Sequence, residues 1–128
     1  MNRTLLRAKL HRISVTERDL QYEGSLTLDP LLMKAADMVP FERVEVYDVD
    51  NGNRFATYLI EGEPGSGACC VNGAAAHLVD LEDKLILATY SELPPAEVEG
   101  HQPRVVLVGE DNVIKEIKSS ESAGVKVP

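Results

Sequence analysis

Short stretches in which hydrophobic and polar residues alternate run along much of the chain and predict β-strands. The first, residues 3–16, contains no Gly or Pro that would interrupt it. Two further stretches flank Asn51-Gly52, a dipeptide that favours the positive φ of a tight turn, and together they predict a hairpin. Other short strands are expected over residues 67–73, 83–90 and 104–109.

One segment, residues 28–40, has the pattern of a helix instead. Asp29 suits the N-cap, Pro30 suits the first helical position, and Pro40 predicts the end. The apolar side of this helix is expected to consist of Leu31, Leu32, Ala35 and Ala36. Residues 72–77 predict a second short helix or a tight loop. Several short strands with one or two short helices predict a mainly β fold, a small β-barrel.

Composition is ordinary for one soluble globular domain: the chain has 128 residues, of which 44% are hydrophobic and 27% charged. The domain is expected to cover residues 1–117, followed by a mobile tail over 118–128. Apolar runs are too short for a membrane span, and a signal-peptide core is lacking, so a cytoplasmic protein is expected. The net charge of −8 argues against nonspecific nucleic-acid binding.

Charge and cysteines add two details. Residues 1–24 hold five basic against three acidic residues, which indicates either a receptor for a small anion or surface charges scattered by chance.

Cys69 and Cys70 are adjacent and would point to opposite faces of a strand, which argues against a structural disulfide. The spacing of Cys and His residues gives no indication of a metal site.

The Gly24-Ser25 peptide bond interrupts an otherwise extended stretch. It can be a simple turn, or the Ser25 hydroxyl can attack the Gly24 carbonyl and convert the amide into an ester, if donors stabilise the oxyanion. β-Elimination and hydrolysis would then leave a pyruvoyl group, whose ketone forms a Schiff base with a substrate amine and accepts electrons when CO₂ leaves. A Gly-Ser pair alone is a weak signal, so its neighbours decide.

The strand after the Asn-Gly turn offers suitable chemistry. Its alternation puts Arg54 and Tyr58 on one face and Phe55 and Thr57 on the other. Arg54 can hold a carboxylate and Tyr58 can donate a proton, although each can also be an ordinary strand residue.

Two other segments add candidates. Lys9 and His11 share one face of the first strand and can contribute positive charge, or can be an exposed lysine and a structural histidine. Asn72 and the small residues after it can bring backbone N–H groups close to a carboxylate or an oxyanion, or can form a packed turn.

The motifs KLHR, YEGS, NG-RF-TY and VNGAAAH, in this order, resemble the aspartate 1-decarboxylase family over roughly residues 1–115. This family uses a pyruvoyl group to convert L-aspartate into β-alanine for pantothenate and coenzyme A synthesis. The resemblance implies a double-psi β-barrel, a homotetramer with active sites between subunits, and neither a metal nor pyridoxal phosphate. It also implies self-cleavage into a β-chain, 1–24, and an α-chain, 25–128.

The resemblance further implies roles for single residues. Cleavage between Gly24 and Ser25 makes Ser25 the pyruvoyl group, and Tyr58 is the proton donor. The substrate-binding residues are then Lys9, Arg54, Thr57, Gly73, Ala74 and Ala75. The residues that line the site or act in processing are His11, Tyr22 and Asn72.

Two other functions stay open. An uncleaved, non-catalytic barrel could bind a small dicarboxylate in the same basic cleft, with Gly24-Ser25 as a turn. A pyruvoyl enzyme could also act on another amino acid, although Arg54 and Lys9 would repel a cationic substrate. The sequence does not decide whether a maturation factor is required.

Overall fold

The computed structural model of the chain describes residues 1–124, most of which belong to strands or to the turns between them. The strands of this part are β1 Arg3–Ser14, β2 Glu17–Asp19, β3 Ser25–Leu28, β4 Arg43–Asp48, β5 Arg54–Glu61, β6 Cys69–Asn72, β7 Lys84–Leu93, β8 Arg104–Val108 and β9 Ile114–Lys118. The helices are α1 Pro30–Ala35, α2 Pro95–Val98 and two 3₁₀ helices, Gly73–Leu78 and Glu110–Asn112.

The strands form one mixed sheet in the order β2-β6-β3-β5-β4-β7-β1-β8-β9. Three pairs are parallel, namely β1 with β8, β2 with β6 and β3 with β5. This mainly β architecture with its mixed sheet is consistent with a double-psi β-barrel, and the predicted fold class is confirmed. No helix within residues 1–124 is long and apolar enough to cross a membrane.

Strand β3 determines where the site lies. It pairs with β6 so that Ser25 is opposite Asn72, and its register with β5 pairs Leu26 with Leu59. Leu26 and Leu59 are fully buried in the core, and each such side chain contributes about 1.5–3 kcal/mol to stability. Because side chains alternate along a strand, Ser25 lies on the outer side of the sheet.

The predicted helix forms, but with different details. The carboxylate of Asp29 caps α1 by accepting a hydrogen bond from the Leu31 backbone N–H at 2.9 Å. The helix ends at Ala35, before Pro40, and Asp37 adopts a left-handed φ of 55°. Leu31 was expected on the apolar side of the helix, but it is 54% exposed and Met33 is buried instead. The face of α1 that packs against the core therefore includes Met33 and leaves Leu31 in solvent.

The hairpin around Asn51-Gly52 is confirmed: β4 and β5 are antiparallel, and Gly52 has a φ of 78°. The short segments β2, β9 and α2 were not predicted, since each is mostly exposed and lacks a clear apolar alternation. The predicted boundary at 117 falls within β9, which ends at Lys118. Residues 125–128 of the predicted tail lie outside the described residues.

Candidate active site

The hydroxyl of Ser25 is held in place by a small hydrogen-bond network. Ser25 is only 3% exposed. Its Oγ accepts a hydrogen bond from Asn72 Nδ2 at 3.0 Å and donates one to the Glu23 carbonyl at 3.3 Å. Asn72 Nδ2 also donates to Thr27 Oγ1 at 3.0 Å, and Asn72 Oδ1 accepts from the Cys70 thiol at 3.1 Å. The hydroxyl is therefore turned back towards the peptide bonds that precede it.

Gly73 packs directly against the backbone of Gly24. A Cβ placed on Gly73 would lie 2.7 Å from the Gly24 Cα and 3.1 Å from the Tyr22 carbonyl oxygen, so no side chain fits there. Gly73 begins the 3₁₀ helix that carries Ala74, which is exposed, and Ala75, which packs against the core. The predicted VNGAAAH segment thus packs against Gly24, the residue that precedes the predicted cleavage bond.

Ser25 lies in the wall of a cavity of about 990 Å³. Tyr22, Tyr58 and Asn72 line it together with Ser25. Tyr58 is 37% exposed, and its ring centroid lies 6.5 Å from that of Phe41. The cavity therefore brings a phenol, an amide and the serine together beside open space for a small molecule.

In the described part of the chain, residues 1–124, the charged residues that line this cavity are glutamates, namely Glu17, Glu23 and Glu63. Cys70 also lines it. Burial, and then the negative charges of Glu17 and Asp19, raise the pKa of the Cys70 thiol to about 11. The thiol is therefore neutral near pH 7 and acts as a hydrogen-bond donor to Asn72.

Lys9 and His11 lie together, as predicted, but in a different cavity. Lys9 Nζ forms an ion pair with Glu121 Oε2 at 2.8 Å. Lys9, His11 and Glu121 all line this second cavity. Burial, followed by the charges of Lys9 and Arg12, lowers the pKa of His11. Strand β1 is four strands away from β3, roughly 19 Å along the sheet at about 4.8 Å per strand.

Arg54 lies in neither of these two cavities. Its guanidinium lies 4.2 Å from the centre of the Tyr47 ring, and the Tyr47 hydroxyl is hydrogen-bonded to that of Tyr90 at 2.8 Å. Arg54 and Tyr58 share one face of β5, as predicted, but they are four residue steps apart along the strand, or about 13 Å. Thr57 is on the opposite face and is half-buried.

One chain therefore assembles only part of the predicted site. It groups Gly24, Ser25, Tyr22, Tyr58, Asn72 and Gly73, and it leaves Lys9 with His11 in one place and Arg54 in another. Sequence reasoning missed Thr27 and Cys70. Strand alternation could have found Thr27, which is two residues from Ser25 and so shares its face. Cys70 required knowledge of the β3–β6 register.

Comparisons with known proteins identify the family of the chain. The sequence profile described as "Aspartate decarboxylase" matches residues 1–115. The chain belongs to the aspartate decarboxylase family. The aspartate 1-decarboxylases of Polynucleobacter asymbioticus and Cupriavidus necator are each 53% identical to it over 118 residues, which cover 92% of this chain and 98% of each relative. The aspartate 1-decarboxylase of Syntrophobacter fumaroxidans is 54% identical over 112 residues, or 88% and 90%.

The resemblance inferred from the motifs is thereby confirmed. Every predicted site residue, from Lys9 to Ala75, lies within the region that the aspartate decarboxylase family shares. Glu121, the partner of Lys9, lies beyond residues 1–115.

Proposed function

We propose that this chain cuts itself between Gly24 and Ser25 and then decarboxylates L-aspartate to β-alanine, as a step of pantothenate synthesis. Membership of the aspartate decarboxylase family supports the reaction. The observation that carries the self-cleavage is the position of Ser25 Oγ. It is buried, accepts a hydrogen bond from Asn72 and donates one to the Glu23 carbonyl, and the Gly24 backbone that lies between Glu23 and Ser25 packs against Gly73.

Self-cleavage begins when Ser25 Oγ attacks the Gly24 carbonyl carbon. An ester replaces the amide, and the proton of the hydroxyl ends on the released amine. In the β-elimination that follows, a base takes the Cα proton of residue 25, the Cα–Cβ double bond of dehydroalanine forms, the Cβ–Oγ bond breaks and Gly24 leaves as a carboxylate. The remaining dehydroalanine takes up water and loses ammonia, which converts residue 25 into a pyruvoyl group.

The residues around Ser25 fit a pyruvoyl group. Gly73 has no side chain that would collide with the backbone of residue 24. Asn72 offers a hydrogen-bond donor, and the adjoining cavity can accept a small substrate. When present, this group supplies a ketone that binds the substrate amine and accepts the electron pair released with CO₂. The proposal requires neither a metal nor pyridoxal phosphate.

The remaining predicted residues bind the substrate and move a proton. Tyr58 lines the cavity of Ser25 and would donate a proton to the substrate α-carbon. Arg54 and Lys9 would hold a carboxylate of aspartate. Contacts of the substrate with Thr57, Ala74 and Ala75, and the roles of His11 and Tyr22, stay predictions.

The charges of the cavity support a site shared between subunits. Glu17, Glu23 and Glu63 face it, whereas aspartate brings two carboxylates. Positive charge has to reach the cavity, and the Lys9 and Arg54 of the same chain lie elsewhere on the sheet. We therefore infer that a second copy of the chain supplies these side chains, within the homotetramer that the family resemblance implies. The same three glutamates count against an uncleaved single chain that binds a dicarboxylate.

The variant Ser25→Ala tests the proposal because it removes only the attacking hydroxyl. Its mass spectrum should show one uncut chain of 14.0 kDa, and aspartate should release no CO₂. The wild type should give two fragments, residues 1–24 and 25–128, the second lighter by one NH₃ than a chain that starts with serine. Ser91→Ala, on β7, is the matched control and should behave as wild type. Normal decarboxylation by Ser25→Ala would reject the proposal.

A further inference from the structure

Three carboxylates meet at the turn of the β4–β5 hairpin, outside the site described above. Asp48 ends β4, Asp50 lies in the turn, and Asp83 directly precedes β7. Each offers a carboxylate oxygen, and these oxygens all lie within 4.8 Å of one another. Asp48 is buried, being 3% exposed, whereas Asp83 is half-buried and Asp50 is exposed.

Backbone N–H groups hold one oxygen of each carboxylate. Asp48 Oδ1 accepts from the Asp50 N–H at 2.8 Å and from the Asn51 N–H at 3.3 Å. Asp50 Oδ2 accepts from the Lys84 N–H at 2.7 Å, and Asp83 Oδ2 accepts from the N–H of residue 80 at 2.9 Å. These hydrogen bonds fix the direction of all three carboxylates.

The second oxygen of Asp48 is the feature that requires an explanation. Asp48 Oδ2 is buried and has no hydrogen-bond partner within residues 1–124. A hydrogen bond to the adjacent Asp83 carboxylate would require a proton between them, because both groups are acceptors. A buried carboxylate oxygen without a partner is costly, and two neighbouring carboxylates increase that cost.

Among residues 1–124, no basic side chain forms an ion pair with these three carboxylates. The ion pairs within residues 1–124 engage Arg7, Lys9, Arg18 and Arg43 with other acidic residues. Lys84 is next to Asp83 in sequence, but its Nζ donates to Ser14 Oγ. The cluster is thus a concentrated negative charge with its acceptor oxygens already oriented.

We propose that Asp48, Asp50 and Asp83 bind one hard divalent cation, with Ca²⁺ as the best fit. Ca²⁺ binds carboxylate oxygens at about 2.3–2.6 Å, so ligands on opposite sides of it are roughly 5 Å apart. Oxygens that all lie within 4.8 Å of one another can therefore share one such ion. The exposure of Asp50 leaves room for water molecules that complete the coordination.

The cation would join two segments that the backbone already brings together. The Val49 N–H donates to the Lys84 carbonyl at 2.8 Å, so the β4–β5 turn is attached to the start of β7. An ion at Asp48, Asp50 and Asp83 would strengthen this attachment without contacting the Ser25 cavity. The sequence predicted no metal site, because Asp83 is distant from the other two along the chain.

The test is calorimetric titration of CaCl₂ into the full-length, chelator-treated protein at neutral pH, together with thermal unfolding. We expect one Ca²⁺ per chain and a rise of several degrees in the unfolding temperature at saturating Ca²⁺. Asp48→Asn and Asp83→Asn keep an acceptor oxygen but lose a charge, and each should weaken Ca²⁺ binding at least tenfold. Glu82→Gln removes the same charge from the exposed residue next to Asp83 and should keep wild-type affinity.

Two results would overturn the proposal. No binding heat and an unchanged unfolding temperature at millimolar CaCl₂ would mean that a proton shared by Asp48 and Asp83 satisfies the buried oxygen. Unchanged Ca²⁺ affinity in both asparagine variants would place the ion elsewhere. Neither readout depends on self-cleavage or decarboxylation.

Discussion

Gly73 and Gly24 are in such close contact that a Cβ on Gly73 would lie 2.7 Å from the Gly24 Cα and 2.8 Å from the Gly24 nitrogen. Gly73 also has a φ of 72°, in the left-handed region that favours glycine. Two independent constraints therefore exclude a side chain at this position. The contact couples the segment after β6 to the bond that we propose is cut.

Gly73→Ala should slow self-cleavage at least tenfold, because the backbone of Gly24 would have to move away from the position that faces Ser25. The protein should still fold, since the left-handed conformation costs alanine about 1–2 kcal/mol and the exposed segment around Gly24 can shift to relieve the contact. The measurement is the fraction of cut chain over time, by intact mass spectrometry.

Gly52→Ala is the matched control for this prediction. Gly52 has a similar φ of 78°, but nothing lies within 4 Å of its added Cβ. It carries the same conformational cost without the contact and should cleave at the wild-type rate. Equal rates in both variants would show that the packing of Gly73 on Gly24 does not control cleavage.

Local patterns predicted local features well. The cap at Asp29, the hairpin around Gly52 and the shared face of Arg54 and Tyr58 each depend on neighbouring residues, and the structure bears them out. Alternation fixes which face a side chain occupies, because the period of a strand is two residues. Membership of the aspartate decarboxylase family could also be predicted from the sequence, because the motifs of this family are short and contiguous.

Features that depend on strand order were not predictable in this way. The bond from Asn72 to Thr27 requires β6 to lie beside β3. The distance between Lys9 and Ser25 requires knowledge that four strand spacings separate β1 from β3. Strand alternation predicted that Lys9 and His11 share one face of β1, but it could not predict how far that face lies from Ser25.

Tyr58→Phe should separate self-cleavage from turnover. Tyr58 lines the cavity but forms no part of the network that joins Ser25 to Asn72, so the variant should still cut itself to completion. Loss of the phenol removes the proposed proton donor, and kcat for aspartate should fall by about 10²–10⁴-fold, the usual contribution of general acid catalysis. Mass spectrometry and CO₂ release on the same sample give both quantities. An unchanged kcat in fully cut protein would remove Tyr58 from this role.

Lys9 and Glu121 provide the last prediction, because a residue proposed to bind substrate is already paired with a carboxylate of its own chain at 2.8 Å. Glu121→Gln should free Lys9 and lower KM for aspartate up to about fivefold, since a partly exposed pair contributes about 0.2–1 kcal/mol. The value of kcat should not change.

Glu116→Gln, an exposed residue of β9 with the same charge change, should leave KM as in wild type. Lys9→Met should raise KM, because it removes the positive group itself. If Glu121→Gln leaves KM unchanged while Lys9→Met raises it, Lys9 binds substrate but Glu121 does not compete for it in the assembled enzyme. If neither variant changes KM, the carboxylate of aspartate is held without Lys9, and Arg54 becomes the remaining candidate among the two basic residues.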